Sequence, residues 1–167
     1  IYSPPASLQG RGGAIRHKTN SSDVCHMVLY LAPRTNAAAA QINSKLLTWA
    51  LKVRNKLPAR TQVVLSTDAN SLLGTAISGV DARPFVGNIC PDKENQNGTK
   101  FREFLIDARL IAVNTHFDCG PTYHGDKNSS RIDYICIDEK SFNQRRYVCA
   151  VWNKSGDRLQ PMISAKR

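Results

Sequence analysis

The chain has 167 residues, of which 41% are hydrophobic, and a formal net charge of +10 at pH 7. A chain of this length suits one domain that buries roughly 70% of its unfolded surface, and its apolar content excludes disorder throughout. No apolar run reaches the roughly 20 residues of a membrane helix, and no signal-peptide pattern opens the chain. We therefore expect a packed globule inside the cell, with the nucleus as one candidate compartment.

Positive charge is concentrated in the first 65 residues, which contain nine lysines and arginines against a single acid, Asp23. Such an excess attracts polyanions and favours contacts with phosphate groups, so nucleic acid is the expected partner. Lys45, Lys52 and Lys56 are the expected phosphate contacts, and because phosphates carry no base identity we expect little sequence preference. A generic solubilising surface explains the charge equally well.

The five cysteines are odd in number and lack the spacing of a disulfide framework: Cys25, Cys90, Cys119, Cys136 and Cys149. We interpret them as buried thiols. A zinc site of His116, Cys119, His124 and Cys136 is rejected, because the spacing lacks the paired close ligands of structural zinc motifs.

In chain order, residues 1–23 are rich in Pro, Ser and Gly without a hydrophobic period, which predicts a flexible N-terminal segment, either loop or a poorly anchored sheet edge. From residue 24 to 167 we expect one domain of apolar strands and amphipathic helices. One helix is predicted between its cap Asn36 and Pro58, and a second after Asn97-Gly98. The predicted strands are 24–31, 62–67, 110–114, 131–137 and 147–152. Their order predicts an α/β layered fold.

Two polar residues, Asp68 and Asn70, follow the second predicted strand directly. Layered α/β folds place functional groups at such strand ends, so both side chains can face one pocket. An aspartate and an asparagine in this position are also common in turns and helix caps, which is the more frequent explanation.

A third polar candidate, Asp133, alternates with Ile135 and Ile137 and therefore shares an apolar face of its strand. Burying an unpaired carboxylate costs several kcal/mol, so we expect Asp133 to have a hydrogen-bonding or cationic partner. Such carboxylates concentrate in active sites, although a structural pair with Arg131 is the alternative.

Together these residues lie in motifs whose order resembles that of the endonuclease/exonuclease/phosphatase family. The motifs are Tyr30-Leu31-Ala32-Pro33, Ser66-Thr67-Asp68-Ala69-Asn70, Asn97-Gly98 with Asn114-Thr115, Thr122-Tyr123, and Ser130-Arg131-Ile132-Asp133-Tyr134-Ile135. The last is most similar to the form found in apurinic-endonuclease-like domains of retrotransposons that lack long terminal repeats. The resemblance implies a four-layered α/β sandwich, with two mixed β-sheets face to face and helices outside. It also implies Mg²⁺-dependent hydrolysis of phosphate esters by water.

The resemblance further implies roles for single residues. Asp68 would orient or deprotonate the attacking water, and Asn70 would hold the scissile phosphate. Tyr30 would contact the phosphate or the metal site, and Asp133 would accept a hydrogen bond from a catalytic histidine. Arg131 is expected to contact nucleic acid.

The chain departs from the family in its final motif, Ser-Asp-His, where it has Ser155-Gly156-Asp157. Asp157 stands in place of the histidine and is a weak candidate metal ligand, while His116 and His124 are conceivable substitutes for the histidine. The family's metal-binding glutamate would precede Ile1, so we expect a C-terminal portion whose N-terminal part is missing.

The leading hypothesis is therefore a truncated or degenerate, inactive copy of a Mg²⁺-dependent DNA endonuclease. A non-catalytic nucleic-acid-binding remnant is the second reading. A phosphatase acting on a small phosphorylated ligand is the third, and the charge of +10 favours a polymer over such a ligand. The sequence carries no indication of oligomeric state.

Overall fold

A computed structural model describes residues 1–33, 36–74, 85–126 and 128–143. These ranges contain seven strands and three helices, with short 3-10 helices at Ala6–Leu8 and Val113–Thr115. The strands are β1 (Gly12–Lys18), β2 (Asp23–Tyr30), β3 (Gln62–Asp68), β4 (Leu110–Ala112), β5 (Tyr123–His124), β6 (Ser129–Ser130) and β7 (Asp133–Asp138). The helices are α1 (Ala37–Lys56), α2 (Gln96–Ala108) and α3 (Glu139–Asn143).

Five strands form one mixed sheet in the order β1-β2-β3-β7-β4. Strands β2 and β3 are parallel and are connected through α1, whereas the other neighbours are antiparallel. A parallel pair needs such a crossover, and α1 supplies it. Strands β5 and β6 form a separate two-stranded hairpin. The predicted α/β class and mixed sheet are confirmed.

One face of the sheet packs against α1 and α2. Cys25, Leu65 and Cys136 are fully buried on this face, together with Leu46 of α1 and Phe101 of α2. The Phe101 ring lies 5.6 Å from the ring of Tyr134, which joins α2 to the sheet. The described residues thus supply two of the four expected layers, one of helices and one sheet.

The opposite face of the sheet exposes large apolar side chains. Ile15, Val28 and Ile135 are 56%, 57% and 51% exposed. Ile15 of β1 is the register partner of His26 in β2. Val28 and Ile135 are both register partners of Ser66 in β3, one on each side of it. In the predicted sandwich this would be the face toward the second sheet.

The predicted start of the first helix is confirmed, whereas the second helix begins before the predicted Asn97-Gly98. The side chain of Asn36 accepts a hydrogen bond from the Ala39 amide, which makes Asn36 the cap of α1. The second helix begins one residue before Asn97, and its cap is Asn95, whose side chain accepts from the Gly98 amide. A Cβ on Gly98 would lie 2.0 Å from the carbonyl oxygen of Leu72, so this close approach requires glycine.

Two strand predictions need correction and a third is refined. Of the two alternatives for residues 1–23, loop or a poorly anchored sheet edge, the second applies to Gly12–Lys18, which form β1 as the outer strand of the sheet. The strand predicted at 110–114 ends at Ala112, where a 3-10 helix begins. Arg131 and Ile132 precede β7 and are not part of it. The strand predicted at 147–152 lies outside the described residues, as do Cys149 and Asp157.

The cysteine prediction is confirmed for Cys25, Cys119 and Cys136, which are buried, and is wrong for Cys90, which is exposed. No helix among the described residues is long and apolar enough to cross a membrane.

Candidate functional site

Three of the four predicted site residues lie side by side at one end of the sheet. Tyr30 is the register partner of Asp68 across β2 and β3, and Asp68 is the partner of Asp133 across β3 and β7. Partners in adjacent strands point to the same face and are separated by about 4.8 Å. Tyr30, Asp68 and Asp133 therefore form a continuous row, which we call the carboxylate row, on the face opposite α1 and α2.

Arg11 extends the carboxylate row at its outer end, and the sequence analysis missed it. Its carbonyl oxygen accepts a hydrogen bond from the Tyr30 amide at 2.8 Å, and its guanidinium carbon lies 5.3 Å from the centre of the Tyr30 ring. The Nη1 atom of Arg11 is buried without a hydrogen-bond partner among the described residues. A basic residue directly before Gly12-Gly13 was the only signal in the sequence.

Asn70 lies at the same end of the sheet, in the left-handed backbone conformation with φ 42°. Its amide nitrogen Nδ2 donates to the Leu31 carbonyl at 2.9 Å, and its backbone amide donates to Oδ1 of Asp68 at 3.1 Å. Asn70 therefore ties the end of β3 to the end of β2 and orients the Asp68 carboxylate. Asparagine tolerates this backbone conformation better than most residues do.

The electrostatic environment of Asp68 opposes its ionisation. Partial burial raises the pKa of the Asp68 carboxyl, and the negative charge of neighbouring Asp133 raises it further, while the hydrogen bond from the Asn70 amide acts in the opposite direction. Two carboxylates side by side repel unless a proton or a cation lies between them. The row is therefore suited to hold a proton or to receive a cationic or hydrogen-bond-donating group.

The expected burial of Asp133 is wrong, because its face of the sheet is exposed and Asp133 is half-buried. The backbone at the start of its strand is instead held by two side chains. The Thr122 hydroxyl accepts from the Ile132 and Asp133 amides at 3.0 and 3.1 Å, and Asn114 Nδ2 donates to the Asp133 carbonyl at 2.9 Å. The fully buried acid of β7 is Asp138, which accepts from the Val63 and Ser141 amides.

Arg131, which was predicted to contact nucleic acid, is buried. It is 5% exposed, and its guanidinium donates to the carbonyl oxygens of Gly120 and Ile89 at 3.3 and 3.4 Å. An arginine whose donors bind buried carbonyl groups is a structural brace and does not face solvent. The guanidinium of Arg11, in contrast, lies over the ring of Tyr30 at the end of the carboxylate row.

Two buried asparagines connect the helices to the strand ends beneath the row. Asn43 of α1 accepts from the Ala32 amide at 2.7 Å and donates to the Ala32 carbonyl at 2.8 Å. Asn97 of α2 donates to the carbonyl oxygens of Ala32 and Asn70 at 3.3 and 3.2 Å. These contacts hold the segments after β2 and β3 in place. Asn43 was missed in the sequence, although a polar residue on the buried side of α1 was a signal.

The remaining histidines and lysines lie elsewhere. The His116 ring packs 4.7 Å from the Phe142 ring, and Nδ1 of exposed His124 is 2.9 Å from the Ser129 hydroxyl. Lys45, Lys52 and Lys56 are exposed on α1, on the other side of the sheet from the carboxylate row.

The residues present do not fit a bound Mg²⁺ held by the protein. Within the described ranges, no group of three or more His, Cys, Asp or Glu side chains is close enough together to hold a metal ion. Asp68 and Asp133 lie side by side and offer two carboxylates, one fewer than such a group needs. We therefore derive no step through a metal.

Solved structures of two other proteins have a fold similar to that of this chain. The endonuclease domain of TRAS1, a telomere-specific non-LTR retrotransposon, is similar with a TM-score of 0.58 and 16% sequence identity, over 90% of this chain and 60% of that chain. An endonuclease/exonuclease/phosphatase protein from Beutenbergia cavernae is similar with a TM-score of 0.50 and 16% identity, over 84% of this chain and 33% of that one. The chain thus spans less than two thirds of either relative. No family model and no curated protein matches it. The chain has the fold of endonuclease/exonuclease/phosphatase domains, as its motifs predicted.

Proposed function

We propose that this chain binds the phosphate backbone of DNA at the carboxylate row and does not hydrolyse it. The observation that carries the proposal is the row itself, in which Tyr30, Asp68 and Asp133 lie in register across three strands. Arg11, directly before β1, is hydrogen-bonded to Tyr30 at the outer end of the row. The fold it shares with endonuclease domains supports a phosphodiester as the ligand.

Each end of the row has its own chemistry. The guanidinium of Arg11 and the hydroxyl of half-exposed Tyr30 are donors that can bind the phosphate oxygens. Asp68 can accept a hydrogen bond from a water molecule next to that phosphate, because the Asn70 amide fixes its orientation. The row can thus position a phosphodiester and a water.

Positioning falls short of hydrolysis. The charge that develops on the phosphate in the transition state needs a cation or several donors, and these typically supply the largest part of the catalysis. The described residues lack a metal site, and Asp157 stands in the sequence where the resemblance puts the general acid-base histidine. Loss of acid-base help alone costs about 10²- to 10⁴-fold in rate.

Binding is tested with a fluorescent DNA duplex in a salt titration. We expect the logarithm of the affinity to fall steeply with the logarithm of salt, and Arg11→Gln to lower that slope by about 0.9, because one phosphate contact is lost. Lys18→Ala removes an exposed charge at the far end of β1 and serves as the matched control. An equal change of slope in both variants would remove the row as the binding site.

Cleavage is tested with supercoiled plasmid and Mg²⁺, using the purified chain beside Asp68→Ala. We expect no nicking above the level of the variant. Nicking by the original chain that disappears in Asp68→Ala would contradict the proposal. Equal residual nicking in both would identify a contaminating nuclease and leave the expected result standing.

A further inference from the structure

A groove lies between the 3-10 helix Ala6–Leu8 and α1, on the side of the molecule away from the carboxylate row. Its volume is about 320 Å³, at the lower end of the range of ligand pockets. It is lined by Pro5, Ser7, Leu8, Ser44, Lys45, Thr48, Trp49 and Lys52. We call it the α1 groove.

The floor of the α1 groove is apolar and aromatic. Leu8 is 3% exposed and belongs to the hydrophobic core, and Trp49 is half-buried and packs against that core. An indole that is anchored on one side and open to a groove on the other offers a rigid surface for stacking. Bases of a single strand stack on such aromatic surfaces in a sequence-tolerant way.

Two cations stand on either side of this aromatic residue. Lys45 precedes Trp49 by four residues and Lys52 follows it by three, so all three lie along one face of α1. The two lysines are about two turns apart, or roughly 10 Å along the helix axis. A nucleotide inside a strand carries one phosphate on each side of its base, which matches one lysine on each side of Trp49.

Charge complementarity supports an anionic occupant. No acidic side chain lines the α1 groove within the described residues, and the sequence contains no Asp or Glu between Asp23 and Asp68. The hydroxyl groups of Ser7, Ser44 and Thr48 complete the rim, and the Thr48 hydroxyl donates to the Ser44 carbonyl. Duplex DNA keeps its bases stacked inside the helix, so a stacking surface of this size suits an unpaired nucleotide.

We infer that the α1 groove binds one nucleotide of single-stranded DNA, with the base against Trp49 and the flanking phosphates at Lys45 and Lys52. The site is separate from the carboxylate row, and only the choice of DNA over RNA rests on the proposed function. A chain with both sites holds the duplex on one face and an unpaired strand on the other.

The test uses the full chain with Trp152→Phe, which leaves Trp49 as the single tryptophan of the sequence. Titration with a short oligothymidylate is expected to quench the Trp49 fluorescence until saturation. Inorganic tripolyphosphate, which has charge and no base, is expected to leave the fluorescence unchanged. Equal quenching by tripolyphosphate, or none by the oligonucleotide, would overturn the inference.

A second measurement keeps Trp152 and does not depend on fluorescence of tryptophan. In the unchanged chain, anisotropy of a labelled oligothymidylate reports affinity, and Trp49→Leu is expected to weaken binding by about 5- to 150-fold, the range of one stacked base. Lys45→Gln with Lys52→Gln is expected to lower the salt slope by about 1.4, for two phosphates of a single strand. These lysines are exposed, so the fold is kept.

Control variants show whether binding at the α1 groove is independent of binding at the carboxylate row. Lys18→Gln with Lys93→Gln removes the same charge from exposed positions outside the groove and is expected to leave the slope nearly unchanged. Arg11→Gln is expected to leave the Trp49 signal unchanged, so the two sites can fail independently. Equal losses in both lysine pairs, or tighter binding of oligouridylate than of oligothymidylate, would overturn the assignment.

Discussion

At the scale of the residue, the row shows what alternation along a strand can and cannot predict. Alternation in β7 placed Tyr134 and Cys136 on the face opposite Asp133, and both are buried against the helices. It could not tell what covers the other face, so Asp133 was expected to be buried and is half-exposed. Arg11 could not be found, because its place beside Tyr30 depends on the pairing of β1 with β2.

Asp68 and Asp133 make a prediction about stability and pH. The pKa of the Asp68 carboxyl in the folded chain lies above its ordinary value of 3.8, because of burial and the charge of Asp133. The folded state therefore binds the Asp68 proton more tightly than the unfolded state does. The resulting contribution to the free energy of unfolding is fully present below pH 3.8 and is lost as pH rises through the folded-state pKa. We expect the Asp68→Asn variant to lack this fall in the free energy of unfolding and therefore to be more stable than the original chain at neutral pH.

Urea unfolding at a series of pH values measures this effect. The two proteins should have similar free energies of unfolding at pH values below 3.8 and should diverge above it. Asp126→Asn, at an exposed position of the hairpin, is the control and should not diverge. A variant that is less stable than the original chain at neutral pH would show that the hydrogen bond from Asn70 outweighs the repulsion.

At the scale of the element, the sequence predicted the interior better than the edges. Helix α1 and the buried strands β2 and β3 carry strong hydrophobic patterns with caps or prolines at their ends, and their bounds agree with prediction within one residue. Strand β1 was expected only as one of two alternatives and without bounds, because its glycines hide the alternation and because an edge strand buries little. Its pairing with β2 is a long-range contact that local patterns do not contain.

The asparagine pair under the strand ends connects these elements, and Asn97→Ala tests it. The change leaves the Ala32 and Asn70 carbonyl groups without one of their donors, so we expect a loss of about 1–3 kcal/mol in the free energy of unfolding. It should also weaken duplex binding, because the segments that carry Tyr30 and Asp68 lose a support.

Urea unfolding and the duplex titration measure both effects on the same samples. Asn55→Ala, at an exposed position of α1, is the matched control and should change neither quantity. Unchanged stability together with weaker binding would contradict a supporting role and would place Asn97 in contact with the ligand.

At the scale of the whole molecule, the exposed sheet face predicts self-association. Ile15, Val28 and Ile135 present apolar surface that monomeric proteins seldom leave open as a patch. We expect the apparent mass of the chain to rise with concentration in sedimentation velocity. Val28→Thr with Ile135→Thr keeps β-branched residues in both strands and should shift the chain toward the monomer.

The control replaces an exposed apolar residue away from this face, Tyr123→Thr in the hairpin. It should leave the mass distribution as in the original chain. A concentration-independent mass for the original chain would show that the face does not drive association.

Both outer strands of the sheet have part of their free edge occupied. Tyr2 exchanges two backbone hydrogen bonds with Ala14 of β1, at 2.7 and 2.9 Å, and Val86 forms a bridge to Ala112 of β4. Growth into a fibril requires every added copy to offer an open edge to the next one. Association through the sheet face needs no open edge. When two copies use the same patch, the patch is buried on both of them and no third copy can add to it. We therefore expect the exposed apolar face to produce pairs of chains and not filaments.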